Sequence, residues 1–301
     1  VAYELALIKM EVVLRDFLLK IRLFVFGLLS FLLVGYNSLY SGIDYTTIDQ
    51  SLLEGLPFVD GQDEESALYA SPYLPNNPVI LEAGTSGGED TCNFKRIWKD
   101  ATIYGFEPVS ASYERTLEST KGLNGVTIFP YALSNTVGEV TFFVSQNNSG
   151  CSSLFPDNFS SVVWPFEGDS TQEDFSNNHY RDVPVTVFAT TVNKWGKENN
   201  VSHIDYIWLD TEGAELQILS AATDFLCDVR VISAEVNFQE FRAGMTQFSQ
   251  LYEFLIKQNF SLKYIWANPK WQGVAMFVNN RFLDMPLNLT NSYLVPGPVK
   301  P

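Results

Sequence analysis

The stretch Val79-Ile80-Leu81-Glu82-Ala83-Gly84-Thr85-Ser86-Gly87-Gly88 constrains the fold of this 301-residue chain more than any other. Three apolar residues, two of them β-branched, predict a short buried strand. Glu82 closes that strand and a glycine-rich turn follows at once. Beyond the turn, Phe94, Ile97 and Trp98 recur at helical spacing within Glu89 to Trp98, so the unit reads strand–turn–helix. In an open α/β sheet such a unit receives a nucleotide-like ligand. Glycines let the backbone approach, the helix N-terminus offers free N–H groups, and the strand-end carboxylate accepts hydrogen bonds. The glycines stand at 84, 87 and 88, without Gly-x-Gly-x-x-Gly spacing. That pattern suits S-adenosylmethionine (AdoMet) better than NAD, because AdoMet has no pyrophosphate to cradle and its cationic methionine end gains from a nearby carboxylate.

From Val79 onward strands and helices alternate, which predicts a mostly parallel sheet. Strands are expected at Thr102 to Phe106, Val126 to Phe129, Ile204 to Leu209 and Val229 to Ala234, with helices at Val109 to Lys121, Gly213 to Ala222 and Met245 to Gln258. Gly138 to Val144 alternates apolar and polar residues and reads as an added β-segment. Val183 to Phe188 reads as a strand that Pro184 demotes to an edge. Phe260 to Trp266 and Gly273 to Val278 are close enough to pair as a closing hairpin. Asn147 to Arg181 lacks periodicity; a segment this long is a lid, a binding loop or disordered.

Four strands thus end on an acid: Glu82, Glu107, Asp210 and Glu235. In a parallel sheet those ends share the edge where ligands bind. Glu107 follows Glu82 by 25 residues, close to the roughly 20 expected of a ribose-binding acid. His203 precedes its strand and falls at the opposite edge. His179 lies in the long loop, from which it can reach the site.

Composition narrows the function. A formal charge of −16 counts against nucleic acid as a partner, since phosphates need clustered Lys and Arg. The three cysteines show no Cys-x-x-Cys spacing, and with two histidines no histidine-rich metal site is available. The odd cysteine count leaves room for one disulfide. The N-terminal part contains no charge from Leu23 to Ile43, with an apolar core at 23–34 behind Lys20 and Arg22. It reads as a signal anchor or signal peptide, the alternative being a buried helix. With an anchor, the rest of the chain is lumenal or extracellular, or secreted after cleavage. Asn-x-Ser/Thr sequons at Asn147, Asn158, Asn200, Asn259 and Asn288 accord with that side of a membrane. The expected organisation is an N-terminal segment at 1–43, a stem at 44–77, a catalytic domain at 78–280 and a Pro-rich tail at 281–301.

Leu81-Glu82-Ala83-Gly84, Phe106-Glu107-Pro108, Ala132-Leu133-Ser134 with Gly138-Glu139-Val140, and Asp210-Thr211-Glu212-Gly213-Ala214-Glu215 occur in order. Over residues 78 to 280 the chain resembles the FkbM-type methyltransferases, a branch of the class I AdoMet-dependent enzymes. The Asp-x-Glu-Gly-Ala-Glu segment is the most specific part of the resemblance. It implies a Rossmann-like sheet of seven strands, mostly parallel with a reversed last strand. It also implies cofactor contacts at Glu82, Gly84, Gly87 and Glu107, with Ala132 near the adenine. The family often carries Lys where this chain has Trp208, and Asp where it has Glu82. The first departure bears on a substrate contact and leaves the AdoMet site untouched.

Methyl transfer to a hydroxyl needs positioned partners and a proton acceptor. Asp210 and Glu212 at the active edge are the candidates for that base; Asp210 is alternatively a partner for the methionine ammonium or a metal. Glu235, Asn237 and His179 are candidates for the acceptor pocket. Trp164, Phe166, Trp266 and Trp271 are candidates for stacking on a sugar. The expected function is O-methylation of a glycan or small-molecule acceptor by a membrane-anchored or secreted enzyme. The rivals are an NAD-dependent oxidoreductase and a non-catalytic glycan-binding scaffold on the same fold.

Overall fold

The computed structural model describes residues 66–146, 148–158, 181–267 and 272–283. The anchor, residues 44–65 of the expected stem, residues 284–301 of the tail, His179, Trp164, Phe166 and Trp271 lie outside the described residues; the rest of the expected stem belongs to the folded domain, where Ala67, Tyr69, Ala70 and Leu74 are core. Among those described, no helix is long and apolar enough to cross a membrane.

Seven strands form the main sheet: β1 (Val79–Ala83), β2 (Thr102–Phe106), β3 (Val126–Phe129), β7 (Tyr206–Leu209), β8 (Val231–Asn237), β9 (Phe260–Ala267) and β10 (Gln272–Asn279). Their order is β3-β2-β1-β7-β8-β10-β9. β1, β2, β3, β7 and β8 pair in parallel, and β10 runs antiparallel to both neighbours. This is the expected Rossmann-like sheet with its last strand reversed. The order turns at β1 and β7, so two neighbouring strands send their chains to opposite sides there and open a crevice.

Strand alternation divides the core into two layers. Leu81, Ile207, Leu209, Ile232 and Ala234 face one side, under α4 (Val192–Glu198), α5 (Glu215–Ser220), α6 (Thr223–Leu226) and α7 (Phe248–Lys257). Ile80, Ile103, Tyr206, Trp208 and Val231 face the other, under α1 (Ser66–Ala70) and α2 (Glu89–Ile97). α3 (Ser110–Ser119) follows β2. Trp208 is therefore a core residue, its ring 5.7 Å from Phe94. Trp266 is also core, 5.1 Å from Tyr69, and stacks on no external sugar.

A second sheet, in the order β4-β6-β5, adds β4 (Ala132–Leu133), β5 (Gly138–Ser145) and β6 (Asp182–Thr190). Here the edge expectation for the Pro184 strand needs correcting, because β6 is central. The proline is accommodated locally. β4 touches β6 only at Ala189 and Thr190. On the other side Phe143, opposite Pro184, exchanges both its backbone hydrogen bonds with Ser153 instead. The Phe143–Pro184 pair therefore requires no N–H from the proline. A second correction concerns Glu235, which lies inside β8, since pairing of Gln272 with Asn237 extends the strand past it. All three cysteines are free.

Candidate functional site

At the C-terminal edge of β1, β2 and β7 lies a cavity of about 240 Å³. The turn after β1 forms its floor. Gly84 has φ +86°, and a Cβ there would fall 1.8 Å from the Asp210 carbonyl oxygen. Only glycine lets the ends of β1 and β7 approach this closely. Ser86 takes a left-handed φ of 47°, and its N–H donates to Glu107 Oε2 at 2.9 Å. Val109 N–H donates to Glu107 Oε1 at 2.8 Å. Each Glu107 oxygen thus holds one backbone donor and keeps lone pairs for a ligand. Burial pushes Glu107 up to about 7, against those two hydrogen bonds and the charge of Arg115, which pull it down.

The motif Asp210 to Glu215 forms a second turn. Glu212 has φ 53° and Gly213 φ 107°. Glu215 Oε1 secures the turn by accepting from Thr211 Oγ1 at 2.8 Å, with Thr211 N and Gly213 N at 3.3 and 3.2 Å. Glu215 is therefore the anchor that keeps Asp210 at the cavity wall. Glu212 is buried just behind the turn. Burial raises it to about 7, while the Arg242 charge and the Cys151 thiol act to lower it.

Of the residues singled out from the sequence, Gly84, Glu107, Ala132 and Asp210 line the cavity. Glu82, Gly87, Glu212, Glu235 and Asn237 are not among the lining residues. Glu82 points into the α2 layer, where Thr91 Oγ1 donates to its Oε2 at 2.6 Å. Fully buried, it is raised to about 8, chiefly by desolvation, against the hydrogen bond from Thr91. Glu235 and Asn237 project from β8 toward Gln272, whose Nε2 donates to Glu235 Oε1 at 3.0 Å. Glu235 is pushed well above the usual carboxylate range by burial and by Glu212, Asp210 and Glu215. Asn237 approaches it without closing a well-formed hydrogen bond. His203 is exposed beside Asp205, which accepts from Val79 N at the opposite edge of the sheet, as expected.

Sequence reasoning missed the residues that roof the cavity. Phe106, Tyr131, Phe142 and Leu154 supply apolar surface, and Ser149 to Ser152 close the top. The one available signal was the length of the aperiodic segment beginning at Asn147.

The lining contains four carboxylates (Glu89, Asp90, Glu107 and Asp210) and no Lys, Arg or His. Such a wall favours a cationic ligand and disfavours a pyrophosphate. The residues present therefore fit AdoMet: a carboxylate for ribose hydroxyls, an apolar slot, bare backbone at Gly84 and a negative field. Among the described residues no group of three or more His, Cys, Asp or Glu side chains could hold a metal ion.

This sheet order, glycine turn and carboxylate-lined crevice define an AdoMet-dependent methyltransferase. The match of residues 82–262 to the methyltransferase FkbM domain covers more than half of the chain, and the protein belongs to that family. It is 25% identical over 183 residues to the 2-O-methyltransferase NoeI of Sinorhizobium fredii, covering 60% of this chain and 71% of that one. It is 28% identical over 167 residues to the methyltransferase sdnD of Sordaria araneosa, covering 52% and 64%. An rRNA methylase structure from Streptococcus thermophilus aligns over 73% of this chain and 98% of that one, at 8% identity and a TM-score of 0.42. That likeness is too loose to add to the sheet order itself.

Proposed function

We propose that this methyltransferase acts on a hydroxyl of a glycan or small-molecule acceptor. The acceptor hydroxyl would take the methyl group in place of its proton, and that proton would be held by Asp210 or Glu212. AdoMet supplies the electrophilic methyl group. Gly84 would give it backbone access, Glu107 would accept hydrogen bonds from its ribose hydroxyls, and Ala132 would border its adenine. Glu82 and Gly87 support the turn from behind. Glu235 and Asn237 bind the acceptor on the β8 side.

The observation that carries this reading is a wall whose charged groups are all carboxylates, with Asp210 exposed on it at the end of β7. The likeness to a protein named as a 2-O-methyltransferase supports oxygen as the acceptor atom. The uncharged stretch 23–43 and the exposed sequon residues Asn200 and Asn259 support a domain on the non-cytosolic side of a membrane.

The test is calorimetric titration of the full chain with AdoMet and S-adenosylhomocysteine, followed by transfer of labelled methyl to a glycan pool. Glu107→Ala is expected to weaken binding about 10- to 100-fold, the worth of hydrogen bonds to a charged group. Asp210→Asn or Glu212→Gln, whichever removes the base, is expected to lower turnover about 10²- to 10⁴-fold with cofactor affinity kept. A folded chain that binds neither cofactor nor product returns the reading to a scaffold.

A further inference from the structure

Arg242 is a charged side chain with no solvent exposure, in the segment after β8. Its guanidinium forks onto the Asp182 carboxylate, Nη1 to Oδ2 at 2.9 Å and Nη2 to Oδ1 at 3.4 Å. The same two nitrogens donate to the backbone of the cavity roof. Nη1 reaches the Phe155 carbonyl at 2.8 Å and Nη2 reaches the Cys151 carbonyl. Between those two carbonyls lie Ser152 and Leu154, both on the cavity wall. The backbone repeats the connection: Asn158 N donates to Phe241 O and Ala243 N to Pro156 O, both at 2.9 Å. Asp157 N donates to the clamped Asp182 at 3.1 Å.

The roof is tied from its other side as well. Arg115, on the helix that follows Glu107, donates to Ser149 Oγ at 2.8 Å. Ser153 Oγ donates to the Glu212 carbonyl at 2.8 Å. One short segment therefore connects the Glu107 end of the cavity to the Asp210–Glu212 turn. The segment pairs with β5 at one residue, Ser153, which exchanges both backbone bonds with Phe143. On the side away from β5 it is held by a buried, bidentate ion pair, a geometry that only Arg provides.

We propose that Arg242, paired with Asp182, is a positioning residue for the cofactor: it holds the Cys151–Phe155 roof in the place that AdoMet requires. This rests on the AdoMet reading above, yet it concerns residues outside the glycine turn and both acidic turns. Arg242 touches no reacting atom in this account. It acts through the carbonyls it holds, and its charge also helps to keep Glu212 ionised.

The test compares the full chain with Arg242→Lys, Arg242→Met and Asp182→Asn. The readouts are the AdoMet and S-adenosylhomocysteine Kd, the thermal unfolding midpoint, and thermolysin cleavage at Leu154–Phe155 followed by mass spectrometry. Arg230→Gln is the matched control, since it loses a 3.4 Å contact to Asp205 at the far edge of the sheet. The expected result is a Kd raised at least tenfold in Asp182→Asn, graded so that Met is worse than Lys at position 242. Cleavage at the roof should appear in the free protein and be suppressed by saturating S-adenosylhomocysteine. The control loses thermal stability with Kd unchanged. If the Arg242 variants do not fold, Asp182→Asn alone decides. An Asp182→Asn protein with wild-type Kd, or one cleaved at the roof yet binding normally, overturns the proposal. A wild-type chain that binds no AdoMet overturns the cofactor reading first, so the two failures are distinguishable.

Discussion

The two halves of the active edge handle buried polar groups differently. On the β1–β2 half the protein itself satisfies most of them. Both Glu107 oxygens hold backbone donors, and Glu82 has Thr91 on one oxygen. On the β7–β8 half, Glu235 Oε2 and both polar atoms of Asn237 have no hydrogen-bond partner, although both residues are buried. An unmatched buried polar atom costs about 1–3 kcal/mol. The first half is therefore the more completely satisfied, with Glu82 Oε1 its unmatched atom. The second carries two buried residues, Glu235 and Asn237, with polar atoms left unmatched.

The largest expected effect falls on the first half. Gly84→Ala drives a methyl group into the Asp210 carbonyl and forces a non-glycine residue to positive φ. The two strand ends must then separate, and the cost is expected to reach about 3 kcal/mol or more. Urea unfolding and AdoMet titration of this variant should both report it. A variant with wild-type stability and Kd would refute the close-packed junction at the heart of the comparison.

Acidity separates the halves more finely. Glu82 is raised to about 8 and Glu107 and Glu212 to about 7, in each case chiefly by burial. Between the ordinary carboxylate value near 4.5 and these values, the folded protein binds more protons than the unfolded chain. The stability of the ligand-free domain should thus be greatest near pH 5 and fall as pH rises to 8. Cofactor binding runs in the opposite direction, since a cation prefers ionised Glu107. The Kd for AdoMet should be about tenfold weaker at pH 6 than at pH 8, following the ionised fraction of a group with a pKa near 7. Glu107→Gln should flatten that dependence. A slope that persists in Glu107→Gln would move the titrating group to another carboxylate of the wall.

How much of this was legible in the sequence follows from the range of the interactions. β1, β2 and β3 were readable because each is a compact apolar run with a turn or an acid at its end, and local pattern suffices for that. The Asp210–Glu215 motif was readable because its bonds close within four residues. β4 is two residues long and exists only through its pairing with β6. The end of β8 was misplaced because its last residues are fixed by β10, far along the chain. Arg242 was invisible for the same reason. Its partners Asp182 and Cys151 are 60 and 91 residues away, and nothing near position 242 signals a buried cation.

The smallest effects give the sharpest comparison, because they have opposite signs. Thr91→Val removes the one side-chain donor to Glu82 while keeping shape, leaving the buried carboxyl with only the Thr91 backbone N–H beside it. A loss of about 1–3 kcal/mol is expected. Asn237→Leu instead removes two unmatched atoms from the other half at nearly the same volume. The free domain should gain about 1 kcal/mol, because the transfer cost of an unpaired amide disappears. The gain should come with weaker acceptor turnover and an unchanged AdoMet Kd. Destabilisation of Asn237→Leu in the absence of ligand would show that the amide already has its partners. The β8 side would then be as complete as the β1 side, and the contrast between the halves would be lost.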